Sequence, residues 1–160
     1  MVVPHPAIDG ATTTTLVKEL RPAIKMLLND FYSFERRSAY SNNTLSPYCR
    51  FPGCQDQVED VQHILHCPST APVRTTLINQ LRLVISSSPS NVDLDVVFQN
   101  EEVSTQFLLD CSSDNLVVGQ RVLKDDPLLS DIFIINRRII NATHCERLKL
   151  LSKLTKNLHS

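Results

Sequence analysis

A mainly α-helical fold is predicted for this chain of 160 residues, with a small Cys/His module set between helices and a long amphipathic helix at the C-terminal end. Three observations predict it. Apolar residues recur at steps of three and four along most of the chain, as on one helix face. Cysteine and histidine concentrate between Cys49 and Cys67. From Pro127 onward a single apolar stripe runs almost to the end.

The elements follow in order. Residues 1–14 hold two prolines and one glycine and are expected to be flexible. Residues 15–46 form an N-terminal helical segment. Thr14 or Thr15 caps a run through Leu16, Leu20, Ala23, Ile24, Leu27, Leu28 and Phe31, Pro22 kinks it or marks its true start, and Ser41-Asn42-Asn43 ends the segment. Residues 47–68 are the Cys/His module, with a short helix over about Gln57–His66. Residues 69–160 are a C-terminal helical region. It opens with a helix over Pro72–Ile85 that carries Val73, Leu77, Leu81, Val84 and Ile85 on one side, followed by a loop over Ser86–Asn91. Leu94, Val97 and Phe98 indicate one or two helical turns. Glu101 and Glu102 favour the start of another helix through Val103, Phe107 and Leu108. Asp125 or Asp126 with Pro127 starts the last helix, whose stripe is Leu128, Ile132, Ile135, Ile139, Ala142, Leu148, Leu151, Leu154 and Leu158. Val117-Val118 is too short a run to assign as a strand, and no strand is expected outside the module.

Composition excludes several function classes. The three glycines, Gly10, Gly53 and Gly119, are too scattered for a phosphate-cradling loop. No apolar run approaches the roughly 20 residues of a membrane span. Met1–Thr15 lacks the basic start and apolar stretch of a secretory signal, so an intracellular location, nuclear or cytoplasmic, is expected. The Asn42-Asn43-Thr44 and Asn141-Ala142-Thr143 sequons are then chance matches. The formal charge of −1 hides a division: residues 71–120 carry a net −4 and residues 121–160 a net +4.

The cysteines carry the most information. Cys49-Arg50-Phe51-Pro52-Gly53-Cys54, then eight residues, then His63-Ile64-Leu65-His66-Cys67, reads C-x4-C-x8-H-x3-C. The first pair brackets a Pro-Gly turn that lets two thiolates fold back on one metal. The second pair, at i and i+4, falls on one helix face. Zinc takes four N/S ligands in a tetrahedron, so Cys49, Cys54, His63 and Cys67 are the expected ligands of a structural Zn2+. His66 competes with His63 for the fourth place. On a helix it points about 100° away from Cys67, which favours His63. Cys111 and Cys145 have no partner at metal spacing and read as ordinary thiols.

The run from Cys49 to Pro68, with Val58-Glu59-Asp60-Val61-Gln62 before His63, resembles the C-terminal zinc-binding Cys-Cys-His-Cys module of non-LTR (LINE-type) retrotransposon reverse transcriptases. The likeness extends to Arg36-Arg37 in the preceding helix, to Arg74 in the next, to Gln106–Ser113, and to Asn136-Arg137-Arg138 and Arg147-Leu148-Lys149 in the last helix. This sequence has four residues between its first cysteines, where the family has two or three. The polymerase signature of an aromatic residue followed by paired aspartates is absent, and Asp125-Asp126 reads as a helix cap. The resemblance therefore implies a non-catalytic tail, the end of something longer, that assists nucleic-acid binding.

RNA or DNA is the partner so implied, with no membrane and no small-molecule substrate. Arg36, Arg37, Arg50 and Arg74 flank the module and are the expected phosphate contacts. Tyr48 and Phe51 are candidates for stacking on bases. The alternatives are a zinc-stapled helical scaffold, whose basic last helix (Arg137, Arg138, Arg147, Lys149, Lys153, Lys156) docks a protein partner, or a non-functional relic of such an element.

Overall fold

The computed structural model describes residues 21–26, 31–86, 93–110, 115–118, 121–124 and 129–158. The expected flexible N-terminus, the Thr14 or Thr15 cap, Leu27-Leu28, most of the Ser86–Asn91 loop, Cys111 and the Asp125-Asp126-Pro127 start lie outside them. The chain is mainly helical, with the Cys/His cluster between helices and a long final helix, as the periodicity predicts.

The first described helix, α1, covers 21–26 and includes Pro22. Ala23 and Met26 face inward, whereas Ile24, expected on the same face, is 49 % exposed. Helix α2, Phe34–Tyr40, is separate, because Phe31–Ser33 are not helical and Ser33 caps the new start by accepting from Arg36 N–H. It ends where Asn42 and Asn43 enter the left-handed region at φ 53° and 63°, a conformation asparagine tolerates.

Between Ser46 and Asp60 the backbone doubles back. Cys49 N–H donates to Gln57 O at 2.8 Å and Glu59 N–H to Pro47 O at 2.9 Å, beside a bridge between Tyr48 and Val58. Gly53, at φ 88°, supplies the turn conformation that residues with a Cβ rarely adopt. Because Gln57–Glu59 are spent on this ribbon, α3 begins later than expected and spans Val61–His66, with Asp60 accepting from His63 N–H at 2.7 Å as its N-cap.

A 3₁₀ turn, Pro68–Thr70, leads into α4, Ala71–Ser86, close to the expected bounds. Asp93 caps α5, Leu94–Gln99, and Asn100 caps α6, Glu101–Leu109. A two-stranded antiparallel hairpin follows, β1 Asn115–Val118 and β2 Arg121–Lys124, with Leu116 opposite Leu123. No strand was expected here, since each run is only four residues and β structure requires the pairing as well as the residues. Two residues, beginning with Gly119, separate the strands, the connection length that favours a hairpin.

Helix α7, Leu129–Leu158, is 30 residues, about 45 Å long at 1.5 Å per residue. Its first half forms the spine of the core. Ile132, Ile135, Ile139 and Ile140 pack with Leu81 and Ile85 of α4, Phe107 and Leu108 of α6, and Ile64 and Leu65 of α3. Polar residues share this face. Asn136 donates to Phe107 O at 3.2 Å, and Arg137, 1 % exposed, donates to Leu108 O and Asp110 O, both at 2.5 Å. These bonds satisfy carbonyls at the C-terminal end of α6 that its own helix leaves open. Among the described residues no helix is long and apolar enough to cross a membrane.

Candidate metal centre

The hairpin ribbon carries Cys49 and Cys54 to one end of α3, where His63 and Cys67 meet them. The four potential ligand atoms lie within 4.8 Å of one another, and all four residues are buried. Cys49 Sγ is 3.2 Å from Cys54 Sγ, and Cys54 Sγ is 3.7 Å from Cys67 Sγ. Both separations exceed the roughly 2.05 Å of a disulfide, and the cysteines are free. Two sulfurs bound to one tetrahedral zinc at about 2.3 Å stand about 3.8 Å apart, close to the longer separation.

Two further observations fit the donor set to a cation. His63 Nε2 is buried and finds no hydrogen-bond partner among the described residues, a costly state for an imidazole nitrogen that nothing else engages. Burial also pushes the Cys49 and Cys54 thiols up from their ordinary value, so thiolates there need a positive charge beside them. The cluster is thus compatible with a bound metal ion. Its walls are Phe51 on the ribbon and Leu150, Leu151 and Leu154 on α7.

The choice between the two histidines follows from their partners. His66 is held by other partners: Nδ1 meets Gln62 O at 2.8 Å and Nε2 meets Ser104 Oγ at 2.6 Å. Both of its nitrogens are engaged, and it joins α3 to α6. His63 remains beside the sulfurs.

Arg74 is corrected by its surroundings. It is buried, with its guanidinium donating to Thr70 Oγ1 and, at 2.6 Å, to Cys67 O. Burial pushes it down to about 10, which still leaves it charged at neutral pH. It braces the Cys67 carbonyl from inside and does not offer itself to a phosphate. Phe51, 3 % exposed, covers the cluster and is not free to stack on a base. Tyr48 stays exposed. Arg36 is half-buried, with Nε and NH2 donating to Tyr40 Oη. Arg37 is also half-buried and lies against the rings of Tyr32 and Phe34, while Arg50 is exposed and stands 4.3 Å from the Phe34 ring centre. Cys145 is exposed on α7, outside the cluster.

Sequence reasoning missed the buried ion pair beside the cluster. Glu59 accepts from Arg147 Nε at 3.0 Å and NH2 at 2.5 Å, and also from Phe34 N–H at 3.1 Å. It ties the ribbon to α7 and α2 together. A signal existed for Arg147. The expected stripe jumps from Ala142 to Leu148, a gap longer than a helical turn, yet Leu148 is 49 % exposed and Arg147 is 5 % exposed. Arg147 therefore fills the turn that the apolar stripe leaves empty. Glu59 gave no such signal among the acidic neighbours around it. Comparison of the chain with protein-family models, with curated proteins and with solved structures finds no match in any of the three.

Proposed function

We propose that the chain is a non-catalytic, zinc-binding tail module of a non-LTR retrotransposon reverse transcriptase that assists nucleic-acid binding. The buried Cys49-Cys54-His63-Cys67 cluster carries this reading. Three thiolates and one imidazole are a donor set typical of structural zinc. With every donor supplied by protein, zinc would act as a staple that fixes the ribbon against α3 and not as a generator of hydroxide. Reduced thiols fit a nuclear or cytoplasmic setting. The resemblance around residues 49–68 supplies the nucleic-acid half, and Arg37 and Arg50 offer charge at the surface of the module.

One observation favours a second reading, a zinc-stapled helical scaffold. Arg74, Arg137 and Arg147, three of the basic residues near the module and on α7, are turned inward to carbonyls and a carboxylate. Charge committed inside the fold is lost to a polyanion. Arg138, Lys149, Lys153 and Lys156 remain exposed for a protein partner.

Metal analysis of the purified protein is expected to give one zinc per chain. Folded protein without metal would remove the central claim. Titration with labelled single-stranded RNA and DNA across a salt series separates the two readings. The tail reading requires an affinity that falls with salt, and absence of binding at low salt by folded, metal-loaded protein selects the scaffold.

A further inference from the structure

A cleft of about 600 Å³ opens between α1, α2 and α7, with Arg147 of the buried ion pair in its lining. Its lining combines two chemistries. Arg21, Lys25 and Arg37 bring positive charge, while Phe31, Tyr32 and His144 bring flat rings. No carboxylate is among the described residues that line it, although acidic residues outnumber basic ones over the whole chain. Arg21 and Lys25 stand at i and i+4 on α1, so they share a face.

Two observations indicate that this cleft is suited to a ligand with both a charged and an aromatic part. His144 packs edge-on to Phe31 with ring centres 5.1 Å apart, and its Nδ1 is buried with no hydrogen-bond partner among the described residues. Tyr32 in the lining is 57 % exposed, and Tyr40 beyond it is 65 % exposed, with near-parallel rings at 6.4 Å and 22°. Arg37 lies over the Tyr32 ring at 5.6 Å and Arg36 over the Tyr40 ring at 5.3 Å, so cationic charge and exposed rings stand side by side, the pairing that single-strand binders use. The pair continues the cleft outward, which suits a strand more than a free small anion.

We propose that this cleft seats one nucleotide of a single-stranded nucleic acid, its phosphate among Arg21, Lys25 and Arg37 and its base against Tyr32, with Tyr40 receiving the next base. The occupant is single-stranded because a duplex keeps its base faces stacked on one another and hides them from tyrosine. This proposal rests on the nucleic-acid reading above and gives it a location that the cysteine spacing did not indicate.

The test is fluorescence anisotropy of the metal-loaded full chain with a short labelled oligouridylate, and with the matching oligodeoxythymidylate, over a salt series. Tyr32→Ala is expected to weaken binding on the order of tenfold, and Tyr32→Phe, which keeps the ring, to restore it. Arg21→Ala with Lys25→Ala should flatten the slope of log affinity against log salt by about 1.4, at roughly 0.7 per lost contact on a single strand. Lys153→Ala with Lys156→Ala, exposed on α7 and outside the cleft, should leave both readouts unchanged. Thermal midpoints confirm that each variant is folded. If the wild-type chain binds and the cleft variants bind equally well, or the α7 variant loses as much, the cleft is overturned while nucleic-acid binding stands. If inorganic phosphate displaces the strand and Tyr32→Ala has no effect, the cleft is a simple anion site and the proposal also fails. If the folded, metal-loaded wild type binds neither strand, both readings fall together.

Discussion

The cysteine cluster and the helical core are both buried, but they are held by different means. Around Cys49, Cys54 and Cys67 the apolar company is one ring, Phe51, and three leucines borrowed from the second half of α7. The helical core draws on α1, α3, α4, α5, α6 and the first half of α7. A ribbon as short as residues 46–60 cannot bury enough apolar area to offset the entropy of ordering itself. The helices can. The difference teaches that the core rests on apolar area, which the module lacks, and that α3 and α7 are the parts both regions share.

Removing the ion that the cluster is proposed to hold is the strongest way to break this comparison. Chelation, or Cys54→Ser, is expected to release the ribbon and α3, since metal binding in such modules is worth on the order of 10 kcal/mol. The helical signal of α4 and α7 should largely persist. Hydrogen exchange would read this region by region, and equal protection at Cys49–Cys67 with and without chelator would show that the ligands are not what holds the module.

Next in size is the pair that joins the two regions. Arg147→Met leaves Glu59 buried without its cation and is expected to cost about 3–5 kcal/mol in denaturant unfolding. Glu59→Gln combined with Arg147→Met should cost less than Arg147→Met alone, because the orphaned charge is then gone. Equal costs would mean that loss of the arginine's other contacts, such as its guanidinium over the Phe34 ring at 5.1 Å, dominates over the orphaned charge.

A smaller effect sharpens the boundary of the module. Asp60→Ala removes the cap on α3, a bond of 2.7 Å to His63 N–H, and is expected to cost about 1 kcal/mol. Because His63 is both capped residue and candidate ligand, metal affinity should fall along with stability. A loss of stability at unchanged affinity would uncouple the cap from the cluster.

The smallest effect concerns acid. Burial, then the charges of Arg147 and Lys25, hold His144 below its ordinary 6.5. Its proton is therefore taken up more readily by the unfolded chain, so stability falls as pH drops below 6.5. His144→Gln should flatten that part of a curve of thermal midpoint against pH. An unchanged curve would assign the acid sensitivity to other groups.

Much of the fold was legible because helical period and capping residues act locally. The bounds of α4 and the inward face of Ile132, Ile135 and Ile139 follow from spacing, and the start of α6 from the acidic pair Glu101-Glu102. The later start of α3 was hidden because Gln57–Glu59 pair with residues about ten positions earlier. The split between α1 and α2 turned on Ser33, a capping residue inside what otherwise reads as one apolar run.

By itself, the sequence determined the helical class and the set of Cys and His residues that gather in one buried cluster, since ligand type and spacing are chemical facts of the chain. Tertiary structure alone decided which arginines face water. Arg36, Arg37, Arg50 and Arg74 read alike in sequence. Yet Arg74 closes on the Cys67 carbonyl, and Arg137 and Arg147 of α7 turn to partners 27 or more residues away. A guanidinium goes inward only where carbonyls or a carboxylate from another element can meet its donors, and only the assembled fold brings those partners within reach.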